Sequence, residues 1–149
     1  MQTFVPLPSF EASLRALDPK RLGNQRNEAI ILLGVLLRRP TKKTGKPSKG
    51  WQNHPATLMW KGYENALAHY YNCCVEEFIR RGGNNNLPFE EIDPTLPLAP
   101  PWLGDDRFHS SHRSQLLAKN YDWYSQFDWT EPPGLPYFWP SKHPEYSCK

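Results

Sequence analysis

One carboxylate stands apart by its company. Glu28 is the only acid among ten Lys and Arg between Lys20 and Lys61, so that stretch carries a net charge of +9. The rest of the chain sets eight cations against fourteen acids. Arg21, Gln25 and Glu28 recur at i, i+4 and i+7, which puts them on one side of a shared helix. Arg26 follows Gln25 and is expected at the same edge. A carboxylate kept ionised among cations can stabilise a cationic sugar in its transition state, or take up a proton. The plainer alternative is a surface glutamate paired with Arg21 or Arg26. The one-sided positive charge suits a polyanionic partner, nucleic acid first of all. The plainer alternative there is a solvated loop that keeps the protein soluble.

Other side chains fall in around this centre. Lys20, Arg21, Gln25, Arg26, Lys42, Lys43, Lys46, His109, His112, Arg113 and Lys119 are read as contacts to nucleic acid. Trp51, Trp60 or an aromatic of the tail would fill the gap left by an extruded nucleotide. His54 precedes Pro55 and is expected to cap a helix, and His69 to be structural. Cys73 and Cys74 read as buried thiols without a catalytic partner. With no CxxC and no tight Cys/His spacing, neither a metal nor a cofactor is expected.

The elements that must position these groups follow from length and pattern. The chain has 149 residues, with 38% hydrophobic, 13% aromatic and sixteen Pro. That is enough for one domain with its own core. No run of 18 apolar residues exists, residues 1–10 lack a signal-peptide pattern, and three Cys make a poor disulfide framework. The expected setting is reducing and intracellular: cytoplasmic or nucleoid-associated, or nuclear for a eukaryotic or viral source. Residues 1–8 (MQTFVPLP) read as an extended arm that inserts Phe4, Val5 and Leu7 into the body. Ser9 caps a short helix through Leu17. Asp18-Pro19 opens a helix to about Leu37, with Leu22, Ala29, Ile30, Leu33 and Leu37 buried. Residues 38–50 form a basic loop. Asn53-His54-Pro55 opens the longest helix, ending at Arg80-Arg81-Gly82-Gly83. Another helix is expected over about Ser110–Asn120, and the aromatic tail 121–149 is expected to lie as ordered coil over the helices. The fold class is all-α, about three main helices wrapped by Pro- and aromatic-rich loops.

The string Leu17-Asp18-x-x-Arg21-Leu22-Gly23-x-Gln25-Arg26-x-Glu28 resembles the catalytic helix of the pyrimidine-dimer DNA glycosylase family, the phage endonuclease V type. Further blocks are similar to the same family: Asn53-His54-Pro55 with Met59-Trp60-x-Gly62-Tyr63-Glu64 and Glu76-Glu77 through Arg80-Arg81-Gly82; then Trp102-Leu103-Gly104-Asp105 with Phe108-His109-x-x-His112-Arg113-Ser114. The closing Leu135-Pro136-Tyr137-x-Trp139-Pro140 looks like its bacterial branch.

The resemblance implies an endonuclease V-like fold and an N-glycosylase with AP-lyase activity. Its partner would be duplex DNA carrying a damaged or modified pyrimidine, bound by a monomer. In that family the α-amine of the chain attacks the sugar C1′, a Schiff base forms and β-elimination cuts the strand. An essential Glu sits on the catalytic helix, and Glu28 matches it. Such an amine is chemically apt, because its pKa of about 7.7–8.0 leaves a neutral fraction that a lysine at about 10.4 lacks. Residue 2 is Gln, whose bulk blocks removal of the initiator Met. The nucleophile is therefore expected at Met1, or at Gln2 if processing occurs. Two alternatives stay open: a non-catalytic binder of bent or single-stranded nucleic acid, and a glycosylase that activates water through Glu28.

Overall fold

Helix α2 (Pro19–Leu36) begins where Pro fits without loss, at the first helical position, and lies against α4 (Glu64–Arg80). The computed structural model that shows this describes residues 2–146. Helix α1 (Phe10–Ala16) packs on the same α4, started by Ser9, whose hydroxyl accepts from Ala12 N at 3.2 Å. Helix α5 (Asp106–Lys119) starts four residues earlier than the Leu pattern suggested, because the Asp105 carboxylate caps it through Arg107 N. A short α6 (Tyr121–Tyr124) follows it directly. The fold is all-α: among the described residues there is no strand, only a bridge between Pro40 and Pro47. No helix among them is long and apolar enough to cross a membrane.

The long central helix of the sequence reading is two helices. Pro55 opens a four-residue α3 (Pro55–Leu58), with His54 Nδ1 accepting from Ala56 N as the sequence suggested. The chain then turns through Gly62 at φ 87°, a conformation that disfavours any side chain, before α4 begins. The turn sinks Met59 and Trp60 into the core beside Trp102, Phe108 and Tyr70. Trp60 is thus a core residue, with Nε1 bonded to Thr3 Oγ1 at 2.9 Å, and is closed to an extruded nucleotide.

Two helix ends are finished in the same way. At the end of α4, Gly83 N bonds Phe78 O and Gly82 N bonds Ile79 O, the paired bonds of a Schellman motif, with Gly82 at φ 85°. At the end of α2 the same pair runs from Arg39 N to Gly34 O and Arg38 N to Val35 O, but Arg38 occupies the left-handed position at φ 54°. The buried face of α2 is Leu22, Gln25, Ala29, Leu32, Leu33 and Val35. Leu37, expected to be buried, is exposed because the Schellman turn ends the helix before it. At the end of α1 one side chain meets three carbonyls: the Arg81 guanidinium donates to Leu14 O, Arg15 O and Leu17 O, steadied by Glu77. The tail lies over the body as expected, with Trp123 Nε1 bonded to Ala16 O and Ser114 Oγ to Pro132 O. Residues 147–149 of the tail lie outside the described residues.

Candidate active site

The arm has no partner strand, so each of its buried backbone groups needs a side chain. It finds them on four helices. Gln2 O accepts from Gln25 Nε2 (3.0 Å), and Phe4 N donates to Gln25 Oε1 (2.8 Å). Tyr70 Oη sits 2.8 Å from Phe4 O and 2.9 Å from Gln25 Oε1. Val5 N donates to His112 Nδ1 (2.9 Å), and Val5 O lies 2.7 Å from His109 Nδ1. Pro6 O accepts from Arg113 (2.9 Å), while the Ser13 hydroxyl bonds both Leu7 N and Leu7 O. Phe4 and Val5 are buried, as their apolar character predicted.

His109, His112 and Arg113, expected at phosphates, have their bonding groups turned to the arm and clamp it. Both histidines are buried, at 2% and 0% exposure, and desolvation lowers their pKa, for His112 to about 3. Neutral His112 can therefore accept from Val5 N. Gly104 N donates to His109 Nε2 at 2.8 Å, which leaves the Nδ1 proton for Val5 O. Arg113 is spent on Glu131, Asp106 and Pro6 O.

Gln25 joins the arm to Glu28. Its amide donates to Gln2 O through one proton and to Glu28 Oε2 through the other, at 2.9 Å. Its oxygen is taken by Phe4 N, so the amide has one workable orientation. The start of the arm and the carboxylate thus share one nitrogen atom. They face a cleft of about 330 Å³, lined also by Phe4, Lys20, Arg21, Asn24, Lys119 and Tyr137. Three cations surround one carboxylate, which favours an anionic ligand. Arg21 is held by Asp18 at 3.2 Å, and among the described residues Glu28 has no ion-pair partner. Tyr137 closes one wall; burial pushes its phenol up to about 12, with Glu28 adding to the shift and Arg21 opposing it, so it remains a neutral donor.

The sequence-predicted residues divide cleanly. Gln2, Lys20, Arg21, Gln25, Glu28 and Lys119 meet at the cleft. Met1 lies outside the described residues. Arg26 turns away: its guanidinium lies 3.7 Å over the Phe78 ring and bonds Asn85 Oδ1. Lys42, Lys43 and Lys46 are exposed in the basic loop, where Thr41, Thr44, Gly45 and Lys46 bond one another. Trp51 is 44% exposed, at φ 65°. Its ring starts an aromatic row that passes His54 (5.2 Å) and Trp139 (6.0 Å) to Tyr137 in the cleft wall (5.2 Å). Asn24 and Phe4 were missed as cleft residues, and Tyr137 was foreseen only as one of the tail's aromatics and as part of the closing block of the resemblance.

The cleft thus joins a half-buried acid, three cations and the arm, a combination that suits an anionic ligand. The family model of pyrimidine dimer DNA glycosylases matches residues 1–91, well over half of the chain, and the protein belongs to that family. The reaction class is that of a DNA glycosylase of the repair type, with DNA as partner. Searches among curated proteins and among solved structures gave no match. The matched span holds the arm, the cleft-lining residues of α2 and the basic loop; Lys119, Tyr137 and the histidine clamp come from beyond it.

Proposed function

We propose that this protein excises a damaged or modified pyrimidine from duplex DNA by a Schiff-base mechanism, with the α-amine at the start of the chain as nucleophile and Glu28 as its carboxylate. The amine, at Met1 or at Gln2 after processing, attacks C1′; the glycosidic C–N bond breaks and the base departs. Glu28 stabilises the oxocarbenium character at C1′ and accepts the proton released by the amine. The sugar ring opens to an imine. Loss of a C2′ proton then expels the 3′ phosphate, and hydrolysis of the imine restores the amine. Lys20, Arg21 and Lys119 hold flanking phosphates, and Tyr137 faces the extruded nucleotide.

The observation that carries this reading is the Gln25 amide shared by Gln2 O and Glu28 Oε2, which brings the arm to the acid inside a cationic cleft. The test is borohydride trapping on duplexes carrying a pyrimidine dimer or an abasic site, with mass spectrometry of the mature N-terminus. The wild type is expected to form a covalent adduct through its terminal residue. Glu28→Gln should lower base release by about 10²–10³-fold while leaving DNA binding intact. Base release without an adduct would replace the amine by an activated water, and binding with no product would leave only a binder.

A further inference from the structure

On the far partner of α1 sits a cluster that the proposed glycosylase chemistry does not use. His69 and Cys73 are four residues apart on α4, so they share a face, and Glu11 on α1 reaches them. Glu11 Oε1 lies 3.7 Å from Cys73 Sγ, Cys73 Sγ lies 3.8 Å from His69 Nε2, and His69 Nε2 lies 3.5 Å from Glu11 Oε1. Three different donor atoms thus form a closed, nearly equilateral triangle. Tetrahedral zinc with its usual bond lengths to S, N and O sets its ligand atoms about 3.3–3.6 Å apart. The triangle needs to contract by only a few tenths of an ångström.

We propose that Glu11, His69 and Cys73 form a zinc site that fastens α1 to α4. A thiolate and a carboxylate balance the two charges of the ion, with a neutral imidazole as third ligand. Beside the triangle lies a cleft of about 100 Å³ lined by Glu11, Cys73, Glu76, Glu77, Arg15 and Arg80, the last paired with Glu77, which leaves room for water or the Glu76 carboxylate at the fourth position. The site is also braced. Ser9 Oγ donates to Glu11 Oε2 at 3.3 Å, leaving Oε1 for the metal, and the Phe10 ring packs against the imidazole of His69. A thiol–carboxylate hydrogen bond would need only two of these three groups; His69 brings Nε2 to Glu11 at 3.5 Å, while its two ring nitrogens lie 3.8 and 4.0 Å from Cys73 Sγ, so a modest turn of the ring points Nε2 at a shared ion. On binding, zinc takes the place of the Cys73 thiol proton, which passes to solvent. Without metal that proton is held firmly, since burial and the neighbouring Glu11 and Glu76 push the thiol up to about 12. This site shares no lining residue with the Glu28 cleft, and its existence does not depend on the glycosylase reading.

The test uses the full chain in a Cys148→Ser background, stripped with chelator and reloaded with Zn²⁺ or Co²⁺. One equivalent of zinc is expected to survive gel filtration, and saturating zinc should raise Tm by about 5–10 °C. Cobalt should show a thiolate-to-metal charge-transfer band with the d–d absorption of a four-coordinate ion. Cys73→Ser should abolish that band, and His69→Gln should weaken zinc binding at least about tenfold. Glu11→Gln changes a half-exposed side chain, leaves the fold intact and should weaken binding likewise. No retained zinc, a cobalt spectrum without the sulfur band, or undiminished binding in Glu11→Gln and Cys73→Ser would overturn the proposal.

Discussion

The N-terminal arm and the loop after α2 are both irregular, and each was expected to serve the same partner. Their construction is opposite. From Gln2 O to Leu7 O the arm hands its backbone groups to side chains of α1, α2, α4 and α5, all buried but the half-buried Arg113. The loop holds Lys42, Lys43, Lys46 and Lys49 but bonds chiefly to itself, as in Thr41 N to Lys46 O, with Arg39–Glu90 as one tie to the body. The difference teaches where precision is required. On the proposed mechanism the arm makes a bond, which needs atoms held within fractions of an ångström, and its fixed geometry suits that role. The loop is proposed only to attract phosphates, which needs charge within about a Debye length and no such fixing.

The contrast can be broken most severely at Gln25. Gln25→Ala would leave Phe4 N and Gln2 O without their partners and Glu28 without its orienting amide. We expect a loss of about 3 kcal/mol in urea unfolding and a fall of about 100-fold in single-turnover base release. A smaller effect is expected at His112. The unfolded histidine takes up a proton near pH 6.5, which the native one refuses down to about 3. This contribution to stability is therefore complete above 6.5 and is lost as the pH falls below it, by about 1.4 kcal/mol per pH unit. His112→Leu should flatten that slope and cost about 2 kcal/mol at neutral pH, because Val5 N loses its acceptor; His112→Asn should flatten it while keeping an acceptor. Unfolding curves at several pH values read both. The smallest change in stability is expected in the loop. Lys42→Ala, Lys43→Ala and Lys46→Ala should each shift unfolding by no more than about 0.5 kcal/mol. Each should reduce the salt slope of DNA binding by about 0.9 if its lysine meets a phosphate.

Much of this frame was legible in residue order. Pro19 and the α2 pattern located that helix, Ser9 and His54 were rightly read as caps, and Arg21, Gln25 and Glu28 do converge on one cleft. The clamp was not legible. His109, His112 and Arg113 carry the side-chain types of phosphate ligands, and only the approach of an arm more than 100 residues away turns them inward. Arg26 was misplaced because one step along a helix rotates a side chain by about 100°, enough to carry it from the cleft to the Phe78 ring. The break at Gly62 was hidden by an apolar pattern that continues on both sides of it.

Tyr124 binds both the Asp18 carboxylate and Asp18 N, and Asp18 in turn steadies Arg21 at the rim of the cleft. The segment around Tyr124 also carries the chain on to Tyr137, the opposite wall. The foot of α2 is therefore finished by a segment 106 residues further along the sequence, and a chain cut short before Tyr124 would carry Glu28 in an unfinished, solvent-flooded groove.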